Sequence, residues 1–273
     1  MSRLANNRIL VSYAYMNHSN TLDVLKKYSG KCDLIIDSGA FTAYKTGRVI
    51  KLSEYIDFIN SCPFKMKHYA NLDVIGDADA SMENYEIMLR EGLSPVPVFT
   101  RGAPVKHLEK YFESSEVVAV GGIKSMKNTE GFLHEVMKQA DGRKIHWLGY
   151  GKGEMLAKYK PYSCDTSSWL SGLRYGSMSV YLGKGVFKSF SSRNAKMIRK
   201  YSGRIRKLNA NPSLLADPEK CKGDINKNVA GQITLKSYVA YSDEVKEAFG
   251  VNYHLACAQW RQLEEAIKCR IKK

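Results

Sequence analysis

Short runs of β-branched and aromatic residues alternate along the first two thirds of this 273-residue chain with stretches whose apolar positions recur every three or four residues. A short apolar run bounded by turn formers reads as a strand, and a 3.6-residue period reads as an amphipathic helix. The pattern predicts strands at 8–13 (RILVSY), 32–37 (CDLIID), 68–73 (HYANLD), 94–99 (SPVPVF), 116–121 (EVVAVG), 144–149 (KIHWLG), 162–165 (YSCD) and 178–182 (MSVYL). Strands alternating with helices are the mark of parallel β/α units, and eight strands is the number that closes a barrel. The predicted fold class is therefore α/β, a (β/α)8 TIM barrel over residues 1–185.

Helix boundaries carry ordinary signals. Ser53 precedes EYIDFIN, Ser81 opens MENYEIMLR with Gly92 closing it, Pro104 precedes VKHLEKYF, and Asp141-Gly142 ends a helix begun near Thr129. Beyond Gly185 the alternation stops. Residues 186–273 read as a basic helical C-terminal extension: a helix at about 192–206, an irregular segment at 207–231, and two helices ending at Lys273.

Charge sharpens this division. The chain holds 42 Lys and Arg against 27 Asp and Glu, a net charge of +15. Residues 1–183 have 23 basic and 19 acidic residues, whereas 184–273 have 19 and 8. Between 186 and 207 stand Lys188, Arg193, Lys196, Arg199, Lys200, Arg204, Arg206 and Lys207, with no acidic residue among them. A balanced body beside a basic last third predicts a catalytic domain joined to a polyanion-binding surface, to which Arg174 would add. The alternative is a merely solvated basic face.

No run approaches eighteen apolar residues, and Met1–Asn7 lacks the apolar stretch of a signal peptide, so no membrane partner and a cytoplasmic location are expected. The six cysteines form no C-x-x-C pair and are expected to be reduced.

In a parallel barrel the chemistry sits at the C-terminal strand ends. Those ends supply Asp37-Ser38-Gly39-Ala40-Phe41, Asn71-Leu72-Asp73, Phe99-Thr100-Arg101, Gly121-Gly122, Leu148-Gly149 and Cys164-Asp165. One carboxylate, exposed at a strand end, can attack an anomeric carbon while a second trades protons with the departing base. A third suits the adjacent N–H donors of a guanine edge, and glycine backbone can approach a carbonyl oxygen closely. Phe41 and Leu148 are candidates to sandwich a flat ring. Taken singly, a strand-end Asp is also a common helix cap, and Gly-Gly a common turn.

Together the segments IIDSGAFTAYKTG, YANLDVIGD, VAVGGI, HWLGYG and CDTSSWLSGLRYG resemble the tRNA-guanine transglycosylase family, in particular its short phage and bacterial branch that inserts 7-deazaguanines into DNA. The resemblance implies Asp165 as nucleophile, Asp37 as acid/base, Asp73 as guanine-edge acceptor, Gly121 and Gly122 as donors to the carbonyl, and Phe41 as the stacking ring. Ser38, Gly39, Thr100, Leu148 and Gly149 complete the expected base site. Three departures stand out. Thr100 occupies the place of the family's Gln, the family's C-x-C-x-x-C…His zinc motif is absent, and the chain is short. Cys221, His254, Cys257 and Cys269 offer only His254-x-x-Cys257 at ligand-like spacing, a pair read here as helical core, so no metal is expected.

The expectation is a DNA-guanine transglycosylase whose partners are DNA and a free 7-deazaguanine such as 7-cyano-7-deazaguanine. It needs no cofactor, because one glycosidic bond replaces another of similar energy. A duplex base must be flipped to reach such a site. The alternatives are a tRNA-guanine transglycosylase, a catalytically inactive nucleic-acid-binding barrel, and a two-carboxylate sugar hydrolase. The last fits the aspartates but neither the basic tail nor the paired glycines.

Overall fold

The computed structural model describes residues 7–16, 19–123, 128–216 and 223–271. Its elements are β1 (Arg8–Ser12), α1 (Ser19–Lys27), β2 (Asp33–Asp37), α2 (Ala40–Thr46), α3 (Leu52–Asn60), β3 (His68–Tyr69), α4 (Ala78–Arg90), β4 (Val98–Thr100), α5 (Val105–Ser114), β5 (Val117–Gly121), α6 (Thr129–Ala140), β6 (Lys144–Trp147), α7 (Gly153–Tyr159), β7 (Ser163–Thr166), α8 (Ser171–Tyr175), β8 (Ser177–Gly183), β9 (Val186–Ser191), α9 (Ala195–Lys207), α10 (Ser213–Ala216), α11 (Gly223–Phe249), β10 (Asn252–Cys257) and α12 (Trp260–Ile271). They fall into two compact units. One runs through Thr166 and takes up Val251–Ile271, and the other is Ser167–Gly250. These units divide the chain at 166/167 and 250/251.

The first unit is an α/β fold built on an eight-stranded sheet in the order β3-β2-β1-β10-β7-β6-β5-β4, and every pair in it is parallel. The sheet is curled, because its two end strands meet: Val96 N donates to Tyr69 O (2.8 Å) and Asn71 N to Val96 O (3.0 Å). The side chain of Asn71, fully buried, extends the junction by accepting from Val98 N (2.9 Å) and donating to Ser81 O (3.1 Å). Such a sheet is compatible with a TIM-like barrel. Alternate residues of each strand point to opposite faces. One set, Ile9, Val11, Leu34, Ile36, Val118, Val120, Ile145, Trp147 and Leu255, is buried to 2% exposure or less. These residues are the apolar stripes that made the strands legible. The opposite set includes Ile35, Asp37, His68, Ala70, Val117, Ala119, His146, Leu148 and Ser163, which line a common cavity.

Two expectations about this sheet are corrected. The segment 178–182 is a strand but not the eighth strand of the sheet, a place taken by β10 between β1 and β7. The reason lies in the turn Lys184-Gly185, whose residues both have positive φ (50° and 72°). Such a turn matches the twist of a tight hairpin, so β8 pairs locally and antiparallel with β9. Conversely, NYHLAC is short and flanked by helices, and nothing local marks it as a strand until β1 and β7 offer it two open edges.

The second unit packs that hairpin on α11, which starts at Gly223, inside the segment read as irregular. Helix hydroxyls satisfy the free edge of β8: Ser179 N donates to Thr234 Oγ1 (3.1 Å) and Tyr181 N to Ser237 Oγ (3.1 Å). The carboxylate of Glu244 accepts from the turn amides of Lys184 (3.2 Å) and Gly185 (3.0 Å). Helix α9 buries Ile198 and Ile205 in the same core, which also holds Met178, Val180 and Phe190.

Candidate functional site

Strand β2 ends at Asp37, and the chain turns sharply after it because residue 39 is glycine. Gly39 has φ 81°, and a methyl group there would lie 2.8 Å from both Ala14 and Ser12 Oγ. The turn returns the Gly39 amide to Asp37 Oδ2 (3.2 Å) and lets Ser38 Oγ donate to Asp73 Oδ1 (2.8 Å). Ser38 is wholly buried. The Asp73 segment is anchored from α4. Ser81 does not start that helix but lies inside it, where its hydroxyl accepts from Val74 N (2.8 Å) and donates to Asp77 O (2.7 Å). The helix begins at Ala78, and the cap is Asp77, which accepts from Ala80 N (2.9 Å). Asp77 thus takes the capping role that a strand-end aspartate offers, while Asp73 turns toward the Asp37 segment through Ser38.

Burial pushes the Asp37 carboxyl up to about 7, with the charges of Asp73 and Asp165 adding to the rise and the Gly39 amide and Ser12 hydroxyl opposing it. Asp73 is also raised, by burial, against the Ser38 hydrogen bond. Loss of hydration disfavours a carboxylate, and a neighbouring like charge disfavours it further. A group near 7 can both give and take a proton at neutral pH.

Asp165 stands in β7 and is 4% exposed, not the open strand-end carboxylate the pattern implied. Its Oδ1 accepts from Gly149 N (2.7 Å) and lies 3.4 Å from His146 Nε2. The Gly149 amide, expected to face a base, is therefore engaged with the carboxylate. On the neighbouring strand ends, a methyl group added at Gly121 would lie 3.3 Å from Val98, 3.4 Å from Thr100 Cγ2 and 4.0 Å from Leu148 Cδ1. Thr100, Gly121 and Leu148 thus share one wall, kept open by the missing side chain. Gly122 follows β5 with φ 73°.

Phe41 is apart from this group. It is 57% exposed on α2, and its ring faces the Lys45 ammonium at 4.5 Å. Arg174, Lys188, Arg193, Lys196, Arg199, Lys200 and Arg206 are exposed in the second unit. Arg204 differs: its Nε donates to Tyr181 O (2.7 Å), so it is tied into its own unit.

Pattern reading missed His68 and His146 and weighed His254 only beside Cys257. His68, His146 and His254 have side chains on the inner strand positions, and burial holds His68 down at about 4 and His254 well below the usual imidazole range. The available signal was a polar residue at inward register in KIHWLG, HYANLD and NYHLAC, but it requires knowing which face is inward. His254 and Cys257 are on β10 rather than a helix, and their odd spacing puts them on opposite faces. Cys221 lies outside the described residues. Among the described residues no group of three or more His, Cys, Asp or Glu could hold a metal ion. Among them, too, no helix is long and apolar enough to cross a membrane.

Fold and site define an α/β protein with three interacting carboxylates at the C-terminal edge of a curled parallel sheet. Comparison with protein-family models, curated proteins and solved structures found no match to this chain.

Proposed function

We propose that this chain is a base-exchange transglycosylase of the tRNA-guanine transglycosylase type, a (β/α)8 barrel that replaces guanine in DNA with a 7-deazaguanine such as 7-cyano-7-deazaguanine. The observation that carries this reading is the meeting of Asp37, Asp73 and Asp165 at one sheet edge, with Asp37 poised near 7. In the first half-reaction an Asp165 oxygen bonds to C1′ as the glycosidic C–N bond breaks. The departing base keeps the bond pair and takes a proton from Asp37. In the second, Asp37 takes the ring-nitrogen proton of the incoming base, whose nitrogen displaces Asp165 from C1′. Atoms and charges balance without a cofactor. Asp73 would accept from the guanine edge, Gly121 and Gly122 would face its carbonyl, and Phe41 would stack only after a flipped base reached its exposed ring.

The basic surface of the second unit supports a polyanionic substrate. Incubating the protein with labelled guanine and either single-stranded DNA or tRNA tests the proposal, with Asp165→Asn as control. Label in DNA is the expected result. Label in tRNA alone would reassign the polymer, and polymer binding without label in either would return a binding module in place of an enzyme.

A further inference from the structure

Behind Asp165 the inner face of the sheet carries Ser163, His146 and His254, at positions that in barrel interiors are ordinarily filled by branched apolar side chains. Ser163, two residues before Asp165 on β7, shares its face, and its hydroxyl lies 2.7 Å from His146 Nδ1. The other ring nitrogen, His146 Nε2, is buried without a partner at hydrogen-bond geometry. Asp165 Oδ1 lies 3.4 Å from it, an ion-pair distance longer than a good hydrogen bond. His146 and Asp165 are 3% and 4% exposed, so water does not mediate freely between them. The ring of His254 stands edge-on to His146, with centroids 5.8 Å apart.

A neutral imidazole carries one proton, and its position is set by the hydrogen bond the other nitrogen makes. If the proton were on Nδ1, a bare Nε2 lone pair would face a carboxylate oxygen in a dry interior, a repulsive pairing. With Ser163 donating to Nδ1, the proton of a neutral ring would sit on Nε2, the nitrogen on the Asp165 side.

We propose that His146, fixed by Ser163, is a positioning residue for the nucleophile: Nε2–H and the Gly149 amide together hold Oδ1 and leave Oδ2 to attack. The inference rests on the reading of Asp165 as nucleophile. Near-attack geometry requires one oxygen to be held at about 3–3.5 Å from the reacting carbon, and misplacement by about 1 Å costs on the order of 100-fold in rate.

The test joins nitrogen-15 NMR of the histidine side chains in the full chain with exchange kinetics. His146, assigned by loss of its signals in His146→Gln, should be the Nε2–H tautomer. Ser163→Ala should mix the tautomers, and Asp165→Asn should shift the ring proton upfield. In kinetics, His146→Leu should lower kcat by about 10- to 100-fold, with KM for the free base changed less than about twofold. His146→Gln, whose amide reaches toward the Nε2 position, should recover most of that loss. An Nδ1–H tautomer, a ring proton indifferent to Asp165→Asn, or equal kcat for the Leu and Gln variants would overturn the proposal. If instead Asp165→Asn keeps its exchange activity while the tautomer results hold, the nucleophile assignment fails and the Ser163–His146–Asp165 geometry stands.

Discussion

Asp165 is buried at 4% exposure, with the Gly149 amide committed to it, and this decides which substitution reports on chemistry. Asp165→Ala would strand a buried donor, at a cost of about 1–3 kcal/mol. Asp165→Asn keeps an acceptor for Gly149 and should preserve the fold while lowering exchange by roughly 1,000-fold or more. Retention of more than a few per cent of exchange by the Asn variant, measured as label uptake, would remove Asp165 from the nucleophile role. Asp37 makes a different prediction. Its folded value of about 7 lies above the unfolded 3.8, so the native state binds the extra proton between those values. The stability it contributes is fully present below about pH 4 and is lost as pH rises through about 7. This difference corresponds to at most about 4 kcal/mol. Asp37→Asn should therefore gain on the wild type as pH rises from about 4 to 8, in urea unfolding at matched pH. A difference independent of pH would mean that Asp37 titrates normally in the fold. The residue types of this site were legible in the sequence, because Asp at a strand end and Gly-Gly after a strand are local signals. Its histidines were not, because a single inward His in an apolar run looks like any core position.

Among the elements, α8 and α11 meet through glycines. A methyl group at Gly172 would fall 2.7 Å from Ala230 O and 2.8 Å from Gly231 N, both backbone atoms that cannot yield without moving a helix. Gly203, in α9, has nothing within 4 Å of the same position. Both sites are helical, so alanine's better propensity, about 1 kcal/mol, applies to each. Gly203→Ala should stabilise by about 0.5–1 kcal/mol, and Gly172→Ala should destabilise by about 1–3 kcal/mol through overpacking. Chemical denaturation of the two variants checks the pair. Equal shifts of the same sign would show that α8 and α11 do not pack this closely. Helix ends were readable where the cap was local, as at Asp141-Gly142, whose φ values are 46° and 78°. They were misread at Ser81, where a hydroxyl that resembles a cap instead ties a loop to the interior.

At the level of the whole molecule, charge is the property that divides the two units. Ser167–Gly250 contains 15 Lys and Arg against 6 Asp and Glu. On α9 the buried face carries Ile198 and Ile205, which leaves Lys196, Arg199, Lys200 and Arg206 exposed. Arg204, bonded to Tyr181 O, belongs to the fold and is unsuitable for a binding test. Replacing the four exposed residues with Gln should weaken DNA binding and lower the slope of log affinity against log salt by about one per lost phosphate contact. Exchange by bound enzyme should change little, because phosphate contacts position a polymer without reading it. Identical slopes in a salt titration would reduce this face to a solvated surface.

The chain by itself determined seven of the eight sheet strands, the alternation with helices, the three aspartates and the basic segment. Each of these is written in local periodicity or in a count of charges. Only the tertiary structure decided that NYHLAC completes the sheet and that MSVYL does not, since strand partnership is set by which edges remain open and by a two-residue turn with positive φ. It alone also decided the protonation of Asp37, the burial of Asp165 and the register of His146 and Ser163. Desolvation and facing contacts depend on what neighbouring strands bring from far along the chain, as β10 does from 252–257, and no window of sequence contains them.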